Sequence, residues 1–467
     1  MKIQQIYTGC LAQGAYYIES NGEVAIIDPL REVQPYIDMA DNNNSNIKYV
    51  FETHFHADFV SGHVTLAEKS GAAIIYGPLA NPSFKATIAE DNQIFKLGNI
   101  SIKVLHTPGH TMESTSYLLI DEEGNDHAIF TGDTLFLGDV GRPDLAQKAA
   151  SMTQEELAGT LFDSLRSKIM PLDDHLIIYP GHGAGSACGK NLSSETTGTL
   201  GEQKNSNYAL RKDMTREEFI KEVTDGLLPP PQYFPLNVKM NKEGYKDISE
   251  VIKSGSHALS PDEFEETANN SEALILDVRT QEEFAIGHIP NSIFIGINGG
   301  FAPWVGALIG DTLQPILLII PEGKEEETIT RMARVGFDNT LGYLKGGFEN
   351  WKNSGKEYDN VNSITATVFS NKIENAKIFD VRKHSEFLSE RVPTATNTPL
   401  SLLNGYLEDF PKNEHFYIHC AGGYRSMIAA SILKSRGIHN FTDICGGLTA
   451  IKKSNIKTTD YVCPSTL

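Results

Sequence analysis

The sequence has no hydrophobic run long enough to cross a membrane. Its most apolar stretch, residues 301–320, is interrupted by Asp311, Gln314 and Pro315, whereas a spanning helix needs about 20 consecutive apolar residues. Residues 1–8 are too polar and too short for a secretory signal. We therefore expect a protein that works without a membrane.

Cysteine and basic residues are also scarce. The 467 residues include five cysteines, which are scattered, odd in number and without zinc-type pairing, so we expect free thiols in a reducing cytoplasm. Lys and Arg number 40 against 60 Asp and Glu, and the net charge of −20 argues against a nucleic-acid partner. The overall composition is that of an ordinary globular protein. The chain is long enough for two to four domains.

Four segments of this sequence place a histidine or an aspartate at the end of a strand-like apolar run. The residues concerned are, in chain order, His54, His56, Asp58, His110, Asp133 and His182. Alternate residues of an extended segment point the same way, so His54 and His56 can converge on one point. Loops at strand ends are where folds hold ligand groups. One such cluster arises by chance, but four in chain order favour a metal site over surface histidines.

Three consecutive prolines at residues 229–231 indicate the end of a first domain, because they stop a helix and stiffen the chain. Strands and helices alternate before them, so residues 1–245 are expected to form a layered α/β domain. Beyond them the chain repeats itself: Asp277-Val-Arg279 recurs as Asp380-Val-Arg382, and a proline follows each aspartate by 13 residues. Self-similarity at this length predicts two small α/β domains, at 255–360 and 363–467.

The second repeat carries Cys420 between an apolar strand and a helix. The loop that follows it consists of Ala421, Gly422, Gly423, Tyr424, Arg425 and Ser426. A helix N-terminus and an arginine favour a thiolate, and successive loop amides can cradle an anion. A buried structural cysteine is the simpler alternative. A phosphatase loop normally has five residues between Cys and Arg; the four found here suit a sulfur atom on the cysteine better.

The corresponding loop of the first repeat lacks a nucleophile. Alignment of the two sequences puts Pro321 at the cysteine position and Glu326 at the arginine position. An acidic loop disfavours an anion, so we expect this repeat to be catalytically inactive. Its expected role is structural or at an interface, with a binding role as the alternative.

Residues 1–245 resemble the metallo-β-lactamase fold, through the His-x-His-x-Asp signature at 54–58 and the later Thr-Pro-Gly-His110, Gly-Asp133 and Pro-Gly-His182. The two repeats resemble rhodanese domains, the second with the full Cys-x-x-Gly-x-Arg-Ser loop. Together the chain is similar to the persulfide dioxygenase–rhodanese fusions. The resemblance implies an αββα metallo-β-lactamase sandwich followed by two rhodanese-like α/β domains.

Phe59 departs from the wider fold, because hydrolases of the glyoxalase II type have there a histidine that serves a second metal. The resemblance to the dioxygenases implies one Fe(II) per chain, with zinc as the alternative. The ligands it implies are His54, His110 and Asp133. Two histidines and a carboxylate with open positions are typical of non-haem Fe(II) oxygenases. The remaining motif residues, which would orient ligands or substrate or hold a second metal, are His56, Asp58 and His182.

The function implied is a persulfide dioxygenase coupled to a sulfurtransferase, in sulfide detoxification. A low-molecular-weight thiol persulfide, of glutathione, coenzyme A or a similar thiol, would be oxidised by O2 to sulfite. Cys420 would pass sulfane sulfur to sulfite and form thiosulfate. Cys188 either handles persulfide sulfur or is a small buried residue, and Arg142 is expected to pair with Asp144.

Two other classes of function remain. A glyoxalase II-like thioester hydrolase needs two metals, and Phe59 counts against it. A non-enzymatic sulfur-binding or regulatory protein would tolerate the loss of either site, and both sites are intact. The two appended domains offer surface for a homodimer or a higher homo-oligomer.

Overall fold

Two compact units divide the chain. A computed structural model describes residues 1–190 and 192–463, and at residues 148 and 149 the backbone alone. The first unit comprises Met1–Ile248 with Gly310–Thr312 and Met332–Gly336, and the second comprises the remaining described residues. The last four residues of the third predicted domain, 464–467, lie outside the described residues.

The first unit contains two six-stranded sheets. Their strands are β1 (Lys2–Thr8), β2 (Gln13–Ser20), β3 (Glu23–Ile27), β4 (Asn46–Phe51), β5 (Ala73–Tyr76), β6 (Thr87–Ile88), β7 (Ile94–Leu97), β8 (Ile100–His106), β9 (Thr115–Ile120), β10 (Asp126–Gly132), β11 (Ile177–Pro180) and β12 (Gly198–Thr199). The helices are α1 (Gln34–Asn42), α2 (His63–Ser70), α3 (Gln147–Ala150), α4 (Gln154–Ser164), α5 (Leu200–Ser206), α6 (Arg216–Thr224) and α7 (Phe234–Glu243). The sheet orders are β1-β2-β3-β4-β5-β6 and β12-β11-β10-β9-β8-β7.

The two sheets face each other across an apolar core. Tyr16, Ile27 and Phe51 of the first sheet pack with Tyr117 and Phe130 of the second. The outer face of the first sheet is covered by α1 and α2, and that of the second by α4 and α6. Each sheet is apolar on both faces, so one face packs on the other sheet and the second face needs one layer of helices. The predicted αββα sandwich is confirmed.

A hairpin opens this unit. Strands β2 and β3 pair antiparallel from Tyr16↔Ile27 to Ser20↔Glu23. The turn residues Asn21 and Gly22 both have positive φ, +49° and +78°, as the tight turn that matches strand twist requires. The Asn-Gly pair therefore fixes the register that places Asp28 at the end of β3.

The second unit contains two five-stranded parallel sheets with the same topology. The strands of the first repeat are β13 (Ala258–Leu259), β14 (Leu274–Asp277), β15 (Ile293–Phe294), β16 (Ile316–Ile319) and β17 (Thr340–Leu344), and those of the second are β18 (Ser363–Thr365), β19 (Lys377–Asp380), β20 (Ala395–Asn397), β21 (Phe416–His419) and β22 (Phe441–Cys445). The helices are α8 (Ile248–Gly255), α9 (Pro261–Ser271), α10 (Gln281–Ile286), α11 (Phe301–Ile309), α12 (Glu325–Arg334), α13 (Gly347–Asn353), α14 (Ala366–Ser370), α15 (His384–Ser389), α16 (Tyr424–Ser435) and α17 (Gly447–Ile451). Both sheets have their strands in the order first-fifth-fourth-second-third, so the predicted duplication is confirmed.

Strand register corrects the alignment of the two loops. Asp277 pairs with Ile319 in the first repeat, and Asp380 pairs with His419 in the second. The residue after the strand is therefore Ile320 in one repeat and Cys420 in the other. The placement of Pro321 at the cysteine position is therefore wrong by one residue. The loop of the first repeat is one residue longer than that of the second, since α12 begins at Glu325 and α16 at Tyr424. Glu326, the second residue of its helix, thus stands at the position of Arg425, as the sequence alignment has it. The conclusion that the first repeat lacks a thiol at this position is unaffected.

The two repeats contact each other within the second unit. Tyr424 donates from its hydroxyl to the carbonyl of Gly296 at 2.7 Å, and Ser431 accepts from the amide of Phe294 at 3.0 Å. The first repeat thus supports the helix that begins at the Cys420 loop. Among the described residues, no helix is both long and apolar enough to span a bilayer.

Candidate functional site

Three buried side chains converge at one edge of the sandwich. His54 follows β4, His110 follows β8 and Asp133 follows β10, so each lies in a loop at a strand end. The Nε2 atoms of His54 and His110 lie 3.9 and 3.5 Å from Oδ2 of Asp133, and the ligand atoms of the three residues lie within 4.8 Å of one another. The structure thus brings together the three ligands that the resemblance implies.

Neighbouring groups set the tautomers of both histidines. Nδ1 of His110 lies 2.8 Å from the carbonyl oxygen of Arg142, which only accepts, so Nδ1 donates. Nδ1 of His54 lies 3.0 Å from the hydroxyl of Thr53, whose single proton goes to Oδ2 of Asp28 at 2.7 Å. In both rings Nε2 is left with a lone pair on the side of Asp133. Such outer contacts orient imidazole ligands in metal sites.

The electrostatics of Asp133 fit a divalent cation. Its Oδ1 accepts from Nδ1 of His182 at 2.8 Å, whereas its buried Oδ2 has no hydrogen-bond partner among the described residues. Burial alone would raise the pKa of Asp133, but His182, His54 and His110 hold it well below its usual range. Burial also lowers the pKa of His54 well below its ordinary value. A neutral imidazole and an ionised carboxylate are the forms that bind metal.

His182, Asp58 and Cys188 form a second buried group beside the first. Their ligand atoms lie within 4.8 Å of one another, with Nε2 of His182 2.8 Å from Oδ2 of Asp58. Burial raises the pKa of the Cys188 thiol well above its ordinary value, and the charges of Asp58 and Asp133 raise it further. Cys188 therefore lies at the candidate metal site, while its role in handling sulfur stays a prediction.

His56 lies in a third buried group, with Asp28 and Glu52, and not in the group of the three converging ligands. Its Nε2 lies 3.1 Å from Oδ1 of Asp28 and 3.5 Å from Oε2 of Glu52, and its ring packs against Phe59 with centroids 4.4 Å apart. Burial and the charge of Asp28 raise the pKa of Glu52 well above its ordinary value. Sequence reasoning missed this polar group, although Asp28 follows β3 as the other motif residues follow their strands.

Helix α7 holds the loop that contains the His-x-His-x-Asp motif, through hydrogen bonds to residues 56–61. Asn241 donates from Nδ2 to the carbonyls of His56 and Phe59, both at 2.8 Å, and its Oδ1 accepts from the amide of Ser61 at 2.8 Å. Tyr233, next to the helix, donates to the carbonyl of Asp58 at 3.2 Å. No pattern in the sequence indicates these contacts, since they join positions about 180 residues apart.

Arg142 pairs with Asp144, as predicted. Its Nε and Nη2 donate to the two carboxylate oxygens, each at 2.7 Å, and Nη2 also donates to the carbonyl of Leu228 at 2.5 Å. The side chain of Arg142 thus connects its own loop to Leu228, while its backbone carbonyl orients His110. Arg142 thus acts on the site through its main chain.

The second candidate site lies at the loop after β21. Cys420 is buried, and the amide of Gly423 donates to its Sγ at 3.1 Å. Gly423 has φ +104°, a conformation that disfavours other residues, and the next residue begins α16. The carbonyls of Cys420 and Ala421 accept from the amides of Leu448 and Thr449. The loop is therefore held by the segment 448–449, with the Gly423 amide directed at the sulfur.

Comparison with known proteins agrees with this geometry. The profile of the metallo-beta-lactamase superfamily matches residues 8–182, and that of the rhodanese-like domain matches residues 260–354 and 365–454. A metallo-beta-lactamase from Staphylococcus aureus is 33% identical, with a TM-score of 0.65 over 74% of this chain and 99% of its own. The chain belongs to the metallo-beta-lactamase superfamily. Two rhodanese-like domains follow its metallo-beta-lactamase domain.

Curated relatives of the metallo-beta-lactamase domain include proteins of two names. The cytoplasmic hydroxyacylglutathione hydrolase of Arabidopsis thaliana is 32% identical over 39% of this chain and 67% of its own length. The mitochondrial persulfide dioxygenase ETHE1 of Homo sapiens is 28% identical over 47% of this chain and 78% of its own length. A relative from Schizosaccharomyces pombe is matched over 60% of its length. Relatives of both names thus match less than half of this chain.

Proposed function

We propose that the metallo-beta-lactamase domain is a non-haem Fe(II) persulfide dioxygenase. The observation that carries the proposal is the set of His54, His110 and Asp133, in which both Nε2 lone pairs and a bare carboxylate oxygen converge. Fe(II) is the metal expected on two imidazoles and one carboxylate with open positions. When bound, it supplies the one-electron chemistry that lets O2 react with a persulfide. Phe59 supports a single metal, because its ring packs on His56 where a ligand would be needed.

The overall reaction balances with water. A thiol persulfide anion, O2 and H2O give a free thiol, sulfite and one proton; the terminal sulfur is oxidised and O2 is reduced. The chain orients the site through Thr53 and the Arg142 carbonyl, and His182 holds Asp133 by its second oxygen. The ligand atom of Cys188 lies within 4.8 Å of those of Asp58 and His182. We expect the thiol to contact the sulfur atoms of a bound persulfide.

We propose that the second rhodanese-like domain is a sulfurtransferase with Cys420 as nucleophile. The thiolate attacks the outer sulfur of a thiol persulfide, the sulfur–sulfur bond of the donor breaks, and the free thiol leaves with the proton, so that Cys420 carries a persulfide. Sulfite then attacks the outer sulfur of this cysteine persulfide and gives thiosulfate and the Cys420 thiolate. The amide of Gly423 and the N-terminus of α16 stabilise the anionic sulfur. Sulfite made by one site would thus be consumed by the other site of the same chain.

A thioester hydrolase with two zinc ions is the second candidate. The group of Asp58, His182 and Cys188 favours it, since nitrogen, oxygen and sulfur atoms there could hold a second ion. The identity to a hydroxyacylglutathione hydrolase is also as high as that to the dioxygenase. The two candidates differ in the number of metals and in the need for O2.

The deciding experiment is metal content under anaerobic conditions, followed by oxygen uptake on addition of glutathione persulfide. We expect one iron per chain and persulfide-dependent oxygen uptake. The variant Asp133→Asn should lose both, whereas Cys420→Ser should keep oxygen uptake and lose thiosulfate formation. Two zinc ions per chain with thioester cleavage and no oxygen uptake would establish the hydrolase instead.

A further inference from the structure

Arg425 binds a carboxylate of a neighbouring helix. Its Nη1 donates to Oε2 of Glu386 at 2.6 Å, and its Nη2 donates to Oε1 at 2.8 Å. Glu386 lies on α15, whereas Arg425 lies in the first turn of α16. Two parallel bonds of this kind fix the plane of a guanidinium as well as its distance. The pair therefore ties the beginning of α16 to α15.

The charge of this guanidinium is already matched. The side chains of Arg425 and Glu386 are 17% and 34% exposed. Burial lowers the pKa of Arg425, but Glu386, with smaller contributions from Cys420 and Asp380, raises it, so that it ends above its ordinary value. Burial raises the pKa of Glu386, but Arg425 brings it below its ordinary value. Both groups stay charged, and the carboxylate of Glu386 offsets the guanidinium charge before any substrate anion is bound.

The first repeat provides an internal comparison. In both repeats an arginine forms a salt bridge with the aspartate at the end of the second strand. The Nη2–Oδ2 distance is 2.6 Å for Arg279 and Asp277 and also for Arg382 and Asp380. Glu283 of the first repeat corresponds to Glu386, but Glu326 takes the place of Arg425, and two carboxylates do not pair. The repeat without a thiol thus keeps the strand-end pair and lacks the one at the loop.

We propose that Glu386 is a positioning residue of the sulfurtransferase site. Through the bidentate pair it fixes Arg425 and the first turn of α16, so that the loop amides hold the anionic sulfur on Cys420. The inference rests on the proposed sulfurtransferase function and changes the role of Arg425 within it. On this account the sign of the charge at 425 is exchangeable, provided that 386 carries the opposite sign.

The test is a charge exchange in the full-length chain. Sulfur transfer from thiosulfate to cyanide is measured for Glu386→Gln, Arg425→Glu and the double variant Glu386→Arg with Arg425→Glu. We expect the single variants to lose about tenfold in kcat, equivalent to about 1.4 kcal/mol, with KM for thiosulfate little changed. The double variant should recover to within about threefold of wild type. The exposed pair Lys412–Glu408, exchanged in the same way, is the matched control and should show no effect.

Direct binding of the substrate anion by Arg425 gives the opposite results. Release of the guanidinium in Glu386→Gln would then lower KM for thiosulfate, and the double variant would be as inactive as Arg425→Glu; either result overturns the proposal. If the double variant does not fold, the direction of KM in Glu386→Gln decides alone.

Hydrogen–deuterium exchange of the peptide that carries Cys420 and Gly423 measures the order of the loop without any transfer. We expect faster exchange in Glu386→Gln than in wild type, and an unchanged rate would overturn the proposal. If the wild-type chain does not transfer sulfur at all, that result contradicts the proposed sulfurtransferase function, and the exchange measurement then decides the role of Glu386.

Discussion

At the residue scale, the candidate metal site depends on side chains that touch no metal. Thr53 links Asp28 to His54, and the carbonyl of Arg142 fixes His110. Each link decides which ring nitrogen carries the proton. A ligand with the wrong tautomer presents an N–H where a lone pair is needed, so these neighbours should affect metal affinity without contacting the ion.

Removal of the Thr53 hydroxyl tests this link. Thr53→Val should weaken metal binding by about 10- to 100-fold, because His54 loses the acceptor that selects its tautomer. Thr53→Ser keeps the hydroxyl and should bind nearly as tightly as wild type. Titration of the apoprotein with Fe(II) under anaerobic conditions measures the difference. Equal affinities of the two variants would contradict the role of the hydroxyl.

Asp443 should make the second unit less stable as pH rises. Burial raises its pKa from 3.8 to about 7, so between these values the folded chain binds more protons than the unfolded chain. Stability is therefore highest at low pH and falls until the folded carboxyl ionises near pH 7. From pH 5 to pH 7 this amounts to about 2 to 3 kcal/mol.

Thermal unfolding of wild type and Asp443→Asn at pH 5 and pH 8 measures this contribution. The variant should lose less stability than wild type between the two values. The exposed Asp409→Asn removes a carboxylate without a burial effect and is the control. A pH dependence that is the same in all three proteins would refute the prediction.

At the scale of elements, helix α7 belongs to the first unit although it follows the three consecutive prolines. Replacement of Asn241 by Ala leaves the carbonyls of His56 and Phe59 and the amide of Ser61 without their partner. We expect a loss of about 3 kcal/mol in the free energy of unfolding, since each buried polar group costs about 1 kcal/mol or more. Denaturant unfolding of the apoprotein measures it, with the exposed Lys239→Ala as control. A loss no larger than that of the control would show that α7 does not hold the loop.

Elements were predictable where local chemistry dictates them. The strand-end motif residues and the duplicated Asp-x-Arg segments both follow from patterns within a few residues. The alignment of Pro321 with Cys420 was off by one, because hydrogen-bond register, and not residue similarity, decides which residue follows the strand. The alignment of Glu326 with Arg425 agrees with the starts of the two helices. The contacts of Asn241 and Glu52 could not be predicted, since they join segments distant in sequence and carry no motif.

At the scale of the whole molecule, the two proposed activities should be separable by metal removal. A chelator that strips the candidate site of His54, His110 and Asp133 should abolish persulfide-dependent oxygen uptake, whereas sulfur transfer by Cys420 needs no metal and should persist. Both rates, measured on the same sample before and after Fe(II) is restored, test the prediction. Parallel loss of both activities would mean that the second unit also depends on the metal.

The pairs Asp277–Arg279 and Asp380–Arg382 have the same geometry in both repeats, although only the second repeat has a thiol after its central strand. The residues that support the fold and the residue proposed to carry the reaction therefore stand at different positions. The loop can change in sequence while the Asp–Arg pair is kept. The first repeat keeps the same strand-end pair next to a loop that we expect to take part in no reaction. Such a loop can accumulate changes at little cost to folding, which makes it the place where related chains should differ most and where a new binding specificity would be easiest to install.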